Sequence, residues 1–100
     1  MFIYLIQNKE TGHFKIGRTK NINKRIKQLQ TGSSGELVLV DKFESNYASK
    51  LESYLHNIYS AYNISGEWFD LSYSDVSKFK PICETMEKNY LLLEINEKVL

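Results

Sequence analysis

Residues Phe2–Gly17 read FIYLIQNKETGHFKIG, and their pattern decides the fold. Phe2–Gln7 is almost wholly apolar and rich in β-forming side chains, which predicts a strand buried on both faces and central in its sheet. Asn8–Gly12 is turn chemistry. His13–Gly17 alternates, with Phe14 and Ile16 on one face and His13, Lys15 and Gly17 on the other. The two runs form a β-hairpin. A four-residue loop, Lys9–Gly12, pairs Asn8 with His13 and sets Tyr4 opposite Gly17. Lys15 then becomes a diagonal neighbour of Tyr4 on the same face, about 7–8 Å away by Cα.

Outward from the hairpin, Asn21 is a good N-cap and Gly32 a good terminator for a helix whose apolar stripe is Ile22, Ile26 and Leu29. Arg25 falls at the edge of that stripe, about 60° from Ile22, while Lys24 and Lys27 point outward. Leu37–Phe43 (LVLVDKF) predicts another strand, and Asn46–Tyr62 a longer helix broken by Asn63–Gly66. Glu67–Leu71 (EWFDL) is a short strand. Ser72 and Asp75 make a capping box for a third helix with Val76, Phe79, Ile82, Cys83 and Met86 inward. Pro81 is expected to kink or divide that helix, and Tyr90–Leu100 reads as helical. The order β-β-α-β-α-β-α, with hairpin-linked strands, gives a mixed α/β domain of α+β type.

One hundred residues make one domain, 1–100, with the motifs in about 2–72 and a helical part in about 73–100. With 42% hydrophobic and 13% aromatic residues, the chain can build a core, which excludes disorder. No apolar run approaches the roughly 20 residues that span a bilayer. Met1–Leu5 is apolar, but polar Gln7–Glu10 follows and no basic segment precedes it. Neither a signal peptide nor an anchor is expected, and the protein is read as soluble, intracellular and not secreted. A single Cys83 excludes an intrachain disulfide and a cysteine-based zinc site, and reads as a buried structural thiol.

The formal charge of +1 hides an uneven distribution. Lys15, Arg18, Lys20, Lys24, Arg25 and Lys27 follow one another without an intervening acid, so the segment from Thr11 to Gly35 carries +6 and the remainder −5. Such a face suits an anion, and phosphate backbones above all. Phosphate-loop, dinucleotide, HExxH and GxSxG motifs are absent. Glu52 and His56 stand four apart on one helix, a spacing that could ligate metal, although a plain surface Glu–His pair is the simpler reading. Tyr4, Lys15, Arg25 and Glu67 offer a phenol, an amine, a guanidinium and a carboxylate. That set suits metal-assisted phosphodiester hydrolysis, with Glu67 holding a hard cation such as Mg²⁺. Each residue alone has a plainer structural reading, and spacing does not show that they converge.

The order F-I-Y-L-I, the eleven-residue step from Tyr4 to Lys15, F-K-I-G, and then R-T-K-N-I-x-K-R-I-x-Q-L-Q-T-G resembles the GIY-YIG nuclease superfamily. It is most similar to the small phage and giant-virus branch, whose second motif reads K-I-G. A-S-K-L-E-x-x-L-H and G-E-W-F-x-L resemble that branch's later motifs. The resemblance implies a central three-stranded antiparallel sheet flanked by helices, and a divalent metal, Mg²⁺ or Mn²⁺, held by a single glutamate. It also implies hydrolysis to 5′-phosphate and 3′-hydroxyl ends. Carried over, the catalytic residues are Tyr4, Lys15, Arg25 and Glu67, with Glu67 the metal ligand. Arg18 stands beside the site in related members; the basic segment predicts that Lys20, Lys24 and Lys27 bind the substrate with it, and His56 is a candidate supporting residue. The leading glycine is replaced by Phe2, Lys15 stands for a tyrosine, and Leu29 stands where many members have a histidine. Asn89 is the nearest equivalent of a late asparagine. The function expected is a DNA endonuclease acting on duplex or branched DNA, with RNA left open, as a monomer or weak dimer. A nucleic-acid-binding module without turnover is the alternative, and a protein-interaction domain is a third.

Overall fold

The computed structural model describes residues 1–99. Its hairpin joins β1 (Phe2–Asn8) to β2 (Phe14–Thr19). Asn8 organises the turn: its Oδ1 accepts from the Glu10 and Thr11 amides, and its own amide donates to the His13 carbonyl at 2.9 Å. Gly12 closes the loop at φ 79°, a left-handed conformation that favours glycine. The register is the expected one, with Tyr4 opposite Gly17 and Ile6 opposite Lys15.

α1 (Ile22–Thr31) begins at Asn21, whose Oδ1 accepts from the Lys24 amide at 3.0 Å. β3 (Leu37–Glu44) then pairs with the free side of β1. A bulge between Leu5 and Ile6 in this pairing changes the faces along β3. Leu37 and Leu39 pack with α1, whereas Phe43 packs on the opposite side of the sheet. Uninterrupted alternation would have kept these odd-numbered residues on one face.

α2 runs from Ala48 to Ile58, shorter than the expected Asn46–Tyr62. Its entry is fixed from far along the chain: the Glu87 carboxylate accepts from the Ser45 hydroxyl and the Asn46 amide. At its other end Ser60–Tyr62 tightens into a 3₁₀ turn. Asn63–Ser65, expected only to break the helix, is a strand, β4, paired with β5 (Trp68–Phe69). Gly66, at φ 55°, turns between them, and the Asn63 side-chain Nδ2 donates to the Gly66 and Trp68 carbonyls.

The sheet order is β3-β1-β2-β5-β4, with every pairing antiparallel. The three long strands lie side by side with β3 at one edge, and the two short ones extend the sheet beyond the three strands expected. α1 covers one face, over Tyr4, Ile6, Ile22 and Leu37. α2 and α3 (Tyr73–Val99) cover the other, where Ile3, Leu5, Ile16, Leu51, Leu55, Phe79 and Cys83 form the larger core. The expected box caps α3: the Asp75 amide donates to Ser72 Oγ and the Ser72 amide to Asp75 Oδ2.

Pro81 does not divide α3, which runs through it as one helix from Tyr73 to Val99. It lies on the exposed side, and Ser77, whose carbonyl loses its partner four residues on, is exposed as well. Water can satisfy that carbonyl, while Phe79 and Cys83 anchor the buried face. The last part of α3 leaves the core, with Leu91, Leu92, Leu93 and Ile95 exposed, along a molecule 51 Å in its longest dimension. No helix among the described residues is long and apolar enough to cross a membrane.

Candidate active site

The hairpin places the first pair of groups. Gly17 has no side chain, and the Tyr4 phenol lies across the space a Cβ would take. Tyr4 is thereby buried, with 1% of its surface exposed. Arg25 reaches over it from the rim of α1 and donates Nε–H to the phenol oxygen at 3.5 Å, a long hydrogen bond. Burial pushes the Tyr4 phenol above its ordinary pKa, and the Arg25 hydrogen bond opposes the rise. The same bond raises the pKa of the guanidinium, and the charge on Glu67 acts on both groups.

The second pair forms where β5 joins β2. Their ladder contains only Phe14 with Phe69 and Lys15 with Trp68. One further bond, from the Ile16 amide to the Glu67 carbonyl at 3.1 Å, fixes the backbone of Glu67. From there the Glu67 carboxylate meets Lys15 Nζ at 3.1 Å. The Lys15 ammonium also lies 5.4 Å from the centre of the Trp68 ring, a cation–π distance.

α2 supplies a third part. Glu52, His56 and Glu67 each bring a ligand atom into a group within 4.8 Å of one another, all three half-buried. Sequence spacing offered Glu52 and His56 as a surface pair; the structure turns them toward β2 instead. His56 Nε2 donates to the Ile16 carbonyl at 2.8 Å, so the lone pair of the neutral ring is on Nδ1. The imidazole also stands edge-on to Phe69, with centroids 5.0 Å apart. Glu52 Oε2 is buried without a hydrogen-bond partner. Burial and then the Glu67 charge raise the Glu52 pKa, while His56, Arg18 and Lys15 pull it down. An orphaned carboxylate oxygen beside an imidazole and a second carboxylate is a donor set that fits a divalent cation.

The expected residues therefore gather around the edge of β2, but not as one concave surface. Tyr4 lies beneath the surface, under Arg25. A hollow of about 430 Å³ beside Lys15 is lined by Gln28, Leu29, Ser33 and Trp68 among others, and Tyr4, Arg25 and Glu67 are not in its wall. Arg18, Lys20, Lys24 and Lys27 are exposed, and none forms an ion pair among the described residues. Leu29 packs into the α1 core. Asn89 is exposed on α3, with its amide against Met86 Sδ. Cys83 is buried and unpaired, as expected.

Fold and cluster together define a small α+β domain that carries carboxylates, an imidazole and basic side chains beside the short β2–β5 ladder. Within that class the chain belongs to the T5orf172 domain family, which matches residues 1–84: the whole sheet, α1, α2 and the first part of α3. No curated protein and no solved structure matches it.

Proposed function

We propose that this protein is a metal-dependent DNA endonuclease of the GIY-YIG type, with Tyr4, Lys15, Arg25 and Glu67 as its catalytic residues. The observation that carries the reading is the position of Glu67. Its carboxylate touches Lys15 and exerts its charge on both Tyr4 and Arg25, so one acid links all the groups that the motifs single out.

A divalent ion, Mg²⁺ or Mn²⁺, held by Glu67 would stabilise charge at the scissile phosphate and on the leaving oxygen. Arg25, at the rim of α1 and hydrogen-bonded to Tyr4, would bind the equatorial phosphate oxygens. Burial raises the Tyr4 pKa, so the phenol would first give up its own proton to solvent and then, as the phenolate, take one from the attacking water; positive charge collected beside it favours that phenolate. Lys15, nearer to solvent, would share that task only as the free amine, after leaving Glu67 and releasing a proton to solvent. Lys20, Lys24, Lys27 and Arg18 bind the phosphate backbone without reading bases.

The burial of Tyr4 favours one rival, a DNA-binding module that no longer turns over. Supercoiled-plasmid nicking with and without Mg²⁺ or Mn²⁺ separates the two. Metal-dependent nicking that is lost in Glu67→Ala supports the endonuclease. DNA binding without nicking in either metal supports the rival.

A further inference from the structure

We infer that Glu52 and His56 complete the metal centre with Glu67, and that this nitrogen-containing ligand set prefers a first-row transition ion of the Mn²⁺ class to Mg²⁺. The inference rests on the endonuclease reading above but assigns the centre three ligands from two elements instead of one glutamate. Three observations carry it.

The first is the cluster itself, with all three ligand atoms within 4.8 Å. Ligands on opposite sides of one small divalent ion are about 4.0–4.4 Å apart, and adjacent ones about 2.8–3.6 Å, given bond lengths of about 2.0–2.2 Å. The three groups already lie near ligating distance, and side-chain rotations that draw them together close the site on an ion.

The second is Glu52 Oε2, buried and unpartnered. Leaving a buried carboxylate oxygen without a donor is costly, and a cation removes that cost. Lys15 does not serve Glu52 in this way; its ion pair is with Glu67.

The third is the way His56 is held. Metal-ligating histidines almost always donate their second ring N–H to a carboxylate, a backbone carbonyl or water, which fixes tautomer and orientation. His56 makes such a bond to the Ile16 carbonyl, outside the cluster, and Phe69 packs against the ring. The ring is thus oriented for ligation before any ion arrives.

The preference for metal follows from the donors. Mg²⁺ favours all-oxygen shells and gives up water reluctantly, whereas imidazole suits first-row transition ions. Two carboxylates and one imidazole therefore discriminate between the two in a way that a lone glutamate does not.

The test is calorimetric titration of the full chain, without DNA, using Mn²⁺ and Mg²⁺ separately. Wild type should bind Mn²⁺ at least about tenfold more tightly than Mg²⁺. Glu52→Gln keeps the shape and removes the charge. His56→Gln keeps a donor for the Ile16 carbonyl and removes the ring. Each should weaken Mn²⁺ binding about tenfold or more, and His56→Gln should also erase the preference over Mg²⁺. Thermal melts without metal check that the variants fold. Should His56→Gln fail to fold, selective broadening of the His56 ring resonances in wild type by sub-stoichiometric Mn²⁺ supplies the same answer. Equal affinity for the two ions, or wild-type Mn²⁺ affinity in both variants, overturns the inference. Nicking on the same samples separates this from the function: Mn²⁺ bound by the three residues without nicking sinks the endonuclease reading alone. Nicking at full rate in both variants with either metal sinks the three-ligand centre alone.

Discussion

Lys15 and Glu67 form an ion pair at 3.1 Å at the last rung between β2 and β5, so that without metal a lysine ammonium neutralises the carboxylate. The pair is partly exposed, 12% for Lys15 and 34% for Glu67, and exposed pairs contribute about 0.2–1 kcal/mol. It is weak enough to exchange. Removing the ammonium should free Glu67 for a cation: Lys15→Met should tighten Mn²⁺ binding by up to about fivefold, the factor equivalent to 1 kcal/mol, while lowering any nicking rate. Calorimetry and nicking on one preparation check the two opposite directions.

Glu67→Gln preserves size and hydrogen bonding but removes the negative charge. Cleavage should fall by several orders of magnitude at every pH, with fold and most DNA affinity retained. Nicking rates across pH 6–10, alongside DNA binding, test this. Full cleavage with unchanged metal dependence would refute the assignment of Glu67.

Tyr4→Phe deletes one hydroxyl and keeps the packing, so its effect should be that of a proton-transfer group, about 10²–10⁴-fold in rate. Its residual activity should rise with pH as the Lys15 amine takes over. A flat profile would remove Lys15 from that role.

Lys20, Lys24 and Lys27 are exposed and form no ion pair among the described residues. Alanine at any one should weaken DNA binding similarly across sequences and lower the log–log salt slope by about one. Titrations at several salt concentrations on unrelated duplexes show whether the slope changes.

Alkaline pH should destabilise the fold. Burial pushes the Cys83 thiol up from 9.0 to about 12 and the Tyr59 phenol up from 10.0 to about 12. In each case the unfolded chain releases its proton at lower pH than the folded one. The stabilisation is complete below the unfolded pKa and is lost as pH rises through the folded value. Melting temperature should therefore fall as pH rises above about 9, and less steeply in Tyr59→Phe than in wild type. Parallel slopes in the two proteins would exclude Tyr59 as a source of the loss.

The hairpin register was legible because loop length and turn chemistry are local, so Tyr4 opposite Gly17 followed from the four-residue loop Lys9–Gly12. The α1 and α3 caps were legible for the same reason. What the sequence hid depends on partners distant in the chain. Glu87 on α3 caps the entry to α2, and the bulge in the β1–β3 ladder reassigns the faces of β3. Glu52 and His56 displayed their spacing, but only the packing of Leu51 and Leu55 into the core fixes the rotation of α2 that aims them at Glu67. The burial of Tyr4 was likewise hidden, since it requires α1 to close over the hairpin.

The notch at Gly17 has an evolutionary consequence. A methyl group there would occupy the space of the buried Tyr4 phenol. Positions 4 and 17 therefore cannot drift separately. A lineage that gains a side chain at 17 must first give up the aromatic ring at 4, and with it the contact that holds Arg25. In any set of relatives sharing this hairpin, the two positions should change as one heritable unit, and the arginine should follow them.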